Sequence, residues 1–350
     1  MKMQEESNMK KFAMILFSAI LMVVLAACSK NVSNTPSTNP ILDAGNDEDT
    51  VITTKMGLGL VTTDTTKDAN SAGDGTVQFD TTYAMVVLGE DDKITKVDID
   101  TIQSIVKFDV AGKVVEKVTM SKTEAKDDYG MGTISGINKE WYKQVEAFEK
   151  YCVGKTIDEV LRTQLDPNKN SPVDLATSVT INVNEFITAI DNASKNLTTV
   201  TDGHLTGVAA LTEFGTVDAS AIADGKIDVV TSVVATGLNL YDKFVYLEID
   251  EAQSSVTIDA KGKVKTTEVL PSKQALKSSM GIVEASTVYG PWYEEIEAFK
   301  VFIKNELASD LHSLELHPET GAPINVDSNV SMSVKAYKAA IEKAVANATK

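Results

Sequence analysis

Apolar and polar residues alternate with a period of two along several stretches of this chain, which predicts β-strands. Clear examples are Lys93–Asp100, Ser104–Val110 and Gly112–Met120. Gly-containing turns separate the runs, so we expect neighbouring strands to pair as antiparallel hairpins.

Two amphipathic helices are predicted after these strands. The first carries apolar residues on one helical face at Trp141, Val145, Phe148 and Cys152, and the second at Val183, Phe186, Ile187 and Ile190. Asn182 and Glu185 resemble a capping box at the start of the second helix. A group of strands followed by helices predicts an α+β fold, and inside such a helix Cys152 is expected to be a buried, inert thiol.

The chain contains two copies of one pattern. Segments of the first half recur 150 residues later and, after a one-residue insertion, 151 residues later: Lys93–Asp100 matches Lys243–Asp250, Ile102–Val114 matches Ala252–Val264, and Glu140–Tyr151 matches Pro291–Phe302. We therefore predict tandem domains at 55–198 (repeat 1) and 205–350 (repeat 2), each an antiparallel sheet with packed helices. Ser333 is the predicted N-cap of the last helix in repeat 2.

The N-terminus is typical of an exported, lipid-anchored protein. Lys10 and Lys11 precede an apolar run that ends in Leu-Ala-Ala before Cys28. This pattern predicts a signal peptide over residues 1–27, with Cys28 as the lipidated residue, and the alternative is an uncleaved anchor helix. The polar residues of 28–54 predict a flexible tether, so the rest of the chain should lie outside the cell on the membrane.

Charge and composition exclude several classes of function. Lys and Arg total 33 against 50 Asp and Glu, a formal net charge of −17, which argues against a nucleic-acid partner. With three His and two Cys, the sequence favours neither a zinc site nor a nucleophile–His–acid set. Gly57-Leu58-Gly59 lacks the rest of a dinucleotide-binding fingerprint.

The order of motifs resembles the FMN-binding domain of exported electron carriers. GEDDKITKVDID is followed much later by VDLATSVTINVNEFITAIDNA, and DDYGM and INKEWYKQVEAFEKYCVGKTIDEV lie between them. Over nearly the whole mature chain, this order is similar to two-domain flavinylated lipoproteins of Gram-positive bacteria. The resemblance implies an electron carrier with no catalytic residues of its own. It also implies covalent FMN attached by a flavin transferase, a membrane quinone oxidoreductase as electron donor, and an extracellular acceptor.

The family signature D-x-x-[ST]-G-A-[ST] assigns candidate attachment residues in both repeats. By resemblance, FMN would be esterified to Thr180 and Ser331. The preceding signature residues are Asp174 and Thr177 in repeat 1 and Asp327 and Ser328 in repeat 2, where Asp327 lies closer to Ser328 than in the signature. The signature Gly and Ala are replaced here by Ser178 and Val179, and by Asn329 and Val330. Both hydroxyls precede a predicted helix, whose N-terminus would favour a phosphate.

The resemblance also implies a loop that contacts the isoalloxazine ring of the flavin. Tyr129, Gly130 and Met131 occupy the place of the family's ring loop, with Gly281 as the counterpart in repeat 2. Tyr129 could stack on the ring and the Gly130 backbone could approach it closely. The helical spacing of Trp141 predicts core packing instead.

Two alternatives remain at this point. Ser and Thr before a helix are commonly turn and capping residues, which would account for Thr180 and Ser331 without a cofactor. Correspondingly, the chain could be a non-redox surface lipoprotein whose degenerate repeats bind a ligand or act as spacers.

Overall fold

The computed structural model describes residues 52–280, 285–286, 290–304, 306–324 and 330–350. The predicted signal peptide, Cys28 and most of the tether lie outside these residues, as do Gly281, Asp327 and Ser328.

Repeat 1 begins with a meander of four long strands and continues with helices, as the pattern predicts. Its elements are β1 Thr53–Lys67, β2 Gly75–Leu88, β3 Ile94–Phe108, β4 Val114–Ser121, α1 Lys122–Ala125, a 3-10 helix Lys126–Tyr129, α2 Trp141–Cys152, α3 Ile157–Leu161, a 3-10 helix Val173–Leu175, α4 Asn184–Ser194 and β5 Thr198–Thr201. The predicted strands Lys93–Asp100 and Ser104–Val110 are one continuous strand, β3, because its alternation persists through Ile102.

Repeat 2 has the same four-strand meander and the same two amphipathic helices, and it adds a pair of two-residue strands between them. Its elements are β6 Leu205–Val217, β7 Gly225–Leu238, β8 Phe244–Ile258, β9 Val264–Val269, α5 Lys273–Met280, β10 Ala285–Ser286, β11 Gly290–Pro291, α6 Trp292–Ile303, a 3-10 helix Ala308–Ser313 and α7 Lys335–Ala346.

Each repeat forms an antiparallel sheet, and the fold is α+β. Among the described residues the first sheet has the order β4-β3-β2-β1-β5 and the second the order β6-β7-β8-β9, besides the short pair β10-β11. The linker strand β5 pairs with β1, so the connection between the repeats extends the first sheet.

The two sheets pack face to face, and the helices cover parts of their outer faces. One apolar cluster between the sheets joins Tyr83 and Met85 of β2 to Val233 of β7. A second joins Phe79 to Val229. Sheet packing of this kind places side chains of both inner faces in a common core.

Alternation along β2 explains why this strand is buried on both sides. Tyr83, Met85 and Val87 face the other sheet, whereas Ala84 and Val86 face the helices of repeat 1. Since successive side chains of a strand point to opposite faces, one apolar strand serves two cores.

Helix α4 lies very close to β1, and this explains Gly57 and Gly59. A Cβ on Gly57 would overlap the Ala193 carbonyl oxygen, and one on Gly59 would overlap the backbone of Ala189 and Ala193. The two glycines therefore allow a helix to approach the sheet closely, and Gly207 has the same position against α7 in repeat 2.

The second helices begin one residue later than predicted. Val183 rather than Asn182 is the N-cap of α4, and Val334 rather than Ser333 is the N-cap of α7. Each valine N–H donates to a preceding loop, to the Asn170 carbonyl at 3.0 Å in the first case. The predicted capping box is thus replaced by this loop contact, and the Asn182 side chain accepts from the Asn184 N–H at 2.9 Å.

Reciprocal hydrogen bonds join the hairpin loops of the two repeats. The Ala69 N–H donates to the Gly262 carbonyl at 2.8 Å, and the Ala219 N–H donates to the Gly112 carbonyl at 3.1 Å. Both glycines have a positive φ, 70° at Gly112 and 68° at Gly262. A Cβ on Gly112 would also overlap the Asp259 carbonyl oxygen.

Two aspartate side chains also accept hydrogen bonds from the backbone of the other repeat. Asp218 accepts from the Val114 N–H at 3.0 Å, and Asp68 accepts from the Val264 N–H at 2.9 Å. Each repeat thus supplies a hydrogen-bond acceptor to the first residue of the other repeat's last meander strand. This two-way exchange is typical of an isologous interface.

We predict that Gly112→Ala destabilises the protein by about 2 kcal/mol or more, because the change adds backbone strain and a clash at the repeat interface. Urea unfolding followed by circular dichroism measures the loss. Gly73→Ala is the control, since a Cβ there meets nothing within 4 Å, and it should change stability by about 0.5 kcal/mol or less. Equal effects of the two substitutions would contradict the role of Gly112 in the contact between the repeats.

Glu149 on α2 is a partly buried acid whose counterpart in repeat 2 is a lysine. It accepts from the Ile99 N–H at 2.7 Å, and burial raises the pKa of its carboxyl to about 8. At the matching position of repeat 2, Lys300 forms an ion pair with Glu248 at 2.9 Å. Repeat 1 has Asp98 in place of Glu248, so Glu149 faces another acid rather than a cation.

We expect Glu149→Gln to stabilise the protein at pH 8. The folded-state pKa lies above the ordinary value near 4.5, so the native protein loses stability as the pH rises from about 4.5 to about 8. The amide removes this loss while its oxygen can still accept from the Ile99 N–H, a gain of a few kcal/mol at most. Urea midpoints at about pH 5 and pH 8 should converge in the variant, whereas Glu319→Gln, at an exposed position of repeat 2, should leave the wild-type dependence unchanged.

Candidate functional site

A cleft of about 640 Å³ opens on the outer face of the first sheet, beside the helices of repeat 1. Side chains of three strands form its floor: Thr63, Asp80, Thr82 and Thr101. Residues of the helices and loops form its walls: Lys122, Tyr129, Met131, Trp141, Thr180, Ile181, Asn182, Glu185 and Phe186. Its volume lies in the range of pockets that take small ligands.

The cleft also holds a nearly buried cation. Lys122 is 9% exposed, and its Nζ lies 3.3 Å from Asp80 Oδ2. The same Nζ lies 5.6 Å from the ring centroid of Tyr129 and 5.8 Å from that of Trp141. These are cation–π distances, so the ammonium faces the rings of Tyr129 and Trp141.

The strand motif that ends in Asp100 holds Lys122 in place. The Asp100 carboxylate accepts from the Ser121 hydroxyl at 2.5 Å, from the Tyr83 hydroxyl at 3.0 Å and from the Thr123 N–H at 3.0 Å. Burial raises the pKa of this carboxyl. A buried acid of β3 thus anchors both residues that flank Lys122.

Aromatic rings form one wall of the cleft. Trp141 contacts Phe186 edge to face at 5.8 Å between centroids, and Tyr129 contacts Trp141 at 6.4 Å. Trp141 is 4% exposed, so the predicted core role is confirmed. Tyr129 is half-buried and presents the more accessible ring of the three.

Thr180 lies at the edge of the cleft, beside a buried amide. Its N–H donates to Gln144 Oε1 at 2.8 Å and its hydroxyl donates to the same oxygen at 3.2 Å. Gln144 is fully buried, and its Nε2 donates to the Lys139 carbonyl at 3.0 Å. One neutral amide therefore connects the loop of Thr180 with the loop before α2.

Val179 stands where the family signature has Ala, and it is fully buried in the core of repeat 1. Its N–H donates to the Leu175 carbonyl at 2.8 Å. The extra methyl groups anchor the Thr180 loop by apolar contact, and Thr180 itself lines the cleft.

The loop after Tyr129 is held by a single carboxylate. Glu140 accepts from the Met131 N–H at 2.8 Å and from the Gly132 N–H at 2.7 Å. Gly130 has a φ of 76° at the end of the 3-10 helix and open space around its Cβ position. Gly130 is thus accounted for by the turn, and it is not among the residues that line the cleft.

The structure brings some of the predicted site residues together. Tyr129, Met131 and Thr180 line one cleft although the first and last are about 50 residues apart. Asp174 and Thr177 are exposed and do not line it. In repeat 2, Ser331 is described, whereas Asp327, Ser328 and Gly281 lie outside the described residues.

Among the residues of the site that sequence reasoning missed are Asp80, Lys122, Glu140 and Gln144. A signal existed for Lys122, because the two repeats align there as Ser121-Lys122 and Ser272-Lys273. For Gln144, a polar residue on the apolar face of a predicted helix was the available clue.

No family model, curated protein or solved structure matches this chain. Among the described residues, no group of three or more His, Cys, Asp or Glu side chains is arranged to hold a metal ion. The helices in that part of the chain are all too short or too polar to cross a membrane. Cys152 is buried, as predicted, and burial raises the pKa of its thiol to about 12.

We predict that Glu140→Ala loosens the loop that carries Tyr129 and Met131, because two backbone N–H groups lose their acceptor. Amide exchange at Met131 and Gly132 should accelerate at least about tenfold, and global stability should fall by about 1–2 kcal/mol. Hydrogen exchange read by NMR or mass spectrometry measures the first effect. Exposed Glu146→Ala on the same helix should leave both amides unchanged, and equal protection in the two variants would contradict the role of Glu140.

Proposed function

We propose that this chain is a lipid-anchored extracellular electron carrier that holds FMN covalently on Thr180. The observation that carries this proposal is that Thr180, Tyr129 and Met131 line one cleft. The family resemblance names these residues from two separate motifs, and neither motif contains any information about their distance in space.

The residues of the cleft fit a flat aromatic ligand that bears a phosphate. Tyr129 and Trp141 offer ring surfaces, and Met131 is an adaptable apolar neighbour. Lys122 supplies positive charge within a chain that has a single arginine, Arg162. Asp80 also lines the cleft, so Lys122 must be shared between Asp80 and a ligand anion.

Attachment to Thr180 requires an activated phosphoryl donor. The Thr180 hydroxyl oxygen forms the new O–P bond on a flavin dinucleotide, the phosphoanhydride P–O bond breaks, a nucleoside monophosphate leaves and the hydroxyl proton is released. A flavin transferase is the partner for this step. Gln144 orients the hydroxyl, since its Oε1 accepts from both Thr180 donors.

When bound, FMN supplies reversible uptake and release of electrons, and the protein supplies attachment, orientation and electrostatics. In this proposal a membrane quinone oxidoreductase donates the electrons and an extracellular molecule accepts them. Lipidation at Cys28 and the tether over 28–54 keep the carrier at the cell membrane of a Gram-positive bacterium. The alternative is a non-redox surface lipoprotein that binds another small molecule in the same cleft.

The test is the mass of the Thr180 peptide and the visible spectrum of the full chain, purified from its host and then denatured to remove free cofactors. We expect an FMN increment on that peptide and flavin absorbance that stays with the denatured chain. Thr180→Ala should abolish the increment, because no hydroxyl remains to form the ester. Thr188→Ala, which removes an exposed hydroxyl on α4, should retain it. An unmodified Thr180 peptide from wild-type protein would favour the non-redox alternative.

A further inference from the structure

We infer that Thr180 of repeat 1 is the modified residue and that Ser331 of repeat 2 is excluded from modification by a buried acidic network. This inference rests on the proposed function and concerns which of the two matching hydroxyls accepts a phosphoester. Two independent substitutions between the repeats support it.

The first substitution places a carboxylate directly under the Ser331 hydroxyl. Glu295, the counterpart of Gln144, is fully buried. It accepts from the Ser331 N–H at 2.6 Å, from the Ser331 hydroxyl at 3.2 Å and from the Met332 N–H at 2.8 Å. Repeat 1 satisfies the corresponding Thr180 donors with the neutral amide of Gln144.

A phosphoester can lie beside a neutral amide, whereas a neighbouring carboxylate disfavours it by electrostatic repulsion. Esterification removes the hydroxyl hydrogen that Glu295 accepts, so the Ser331 oxygen and the carboxylate would face each other with lone pairs. The phosphate adds a negative charge one bond farther on. Like charges close together in a buried site repel strongly, and a phosphate next to an acidic side chain is disfavoured for this reason.

The second substitution engages the lysine that would otherwise attract an anion. Lys273, the counterpart of Lys122, lies 2.7 Å from Glu251 Oε1, and Glu251 stands where repeat 1 has Thr101. Tyr337 replaces Phe186, and its hydroxyl donates to Glu251 Oε2 at 2.5 Å. Trp292 Nε1 donates to the same hydroxyl at 2.8 Å.

In the matching region of repeat 2, these polar side chains therefore pair with one another. Glu251, Trp292 and Tyr337 are 4%, 8% and 5% exposed, so the ion pair and its hydrogen bonds are screened from water. In repeat 1 the same four positions are Thr101, Lys122, Trp141 and Phe186, which line the cleft. Repeat 2 therefore engages with its own side chains the lysine that repeat 1 presents to a ligand.

The test counts FMN increments on the intact full chain produced together with a flavin transferase and maps them to peptides. We expect one increment per wild-type chain, on Thr180. Ser331→Ala should retain it, Thr180→Ala should have none, and Gln144→Glu should lose at least about nine-tenths of it. The triple variant Glu251→Thr, Glu295→Gln, Tyr337→Phe restores the residues of repeat 1 and should gain a second increment on Ser331. Thermal unfolding of each variant confirms that it is folded.

Each outcome decides a separate point. Modification of Ser331 in the wild-type chain, alone or with Thr180, overturns this inference and leaves the proposed function standing. A folded triple variant that stays unmodified at Ser331 overturns the role given to the acidic network. A wild-type chain without any increment overturns the proposed function, and the inference fails with it.

Discussion

Packing of the two sheets against each other is the constraint on which the rest of this protein depends. The central strands β2 and β7 carry apolar residues on both faces in their C-terminal halves, and neither repeat covers the inner face of its sheet with its own helices. Each repeat therefore buries that face against its copy. The reciprocal bonds of Asp68 and Asp218, and the close approach at Gly112 and Gly262, fix the register of this internal pair.

This arrangement leaves the outer faces available for function. Helices α2 and α4 cover one end of the first sheet, and at the other end the polar residues Asp80, Thr82 and Thr101 form the floor of a cleft. The boundary between covered and open sheet lies at Trp141 and Phe186, which belong both to the core and to the cleft wall. A ligand there would contact rigid elements, because the rings that it meets are held by the core.

Duplication also allows the two outer faces to diverge. Since stability requires the inner faces of both repeats, substitutions on the outer face of one copy are tolerated as long as its buried polar groups find partners. In repeat 2 the buried polar groups pair with one another, through Glu251, Tyr337, Trp292 and Lys273. In repeat 1, Lys122 pairs with Asp80 at the cleft. In our proposal one copy carries the cofactor, and the other acts as its structural partner.

The chain's own sequence determined the secondary structure and the duplication. The period-two and helical patterns are local, and they predicted the strands, the apolar faces of α2 and α6 and the α+β class. Strand β1 was not among the predicted strands, and its two glycines are explained by the close contact with α4, which no local pattern contains. Both helix starts were misplaced by one residue, since a loop contact rather than a capping side chain decides them.

Only the tertiary structure decided what surrounds each candidate hydroxyl. Family resemblance treated Thr180 and Ser331 alike, because the residues that distinguish them lie elsewhere in the chain. Gln144 and Glu295 differ by one atom type and reach the hydroxyls across 36 positions of sequence. Such pairings depend on how helices and loops pack, and the free energy of a buried charge depends on its neighbours in space, which no local pattern contains.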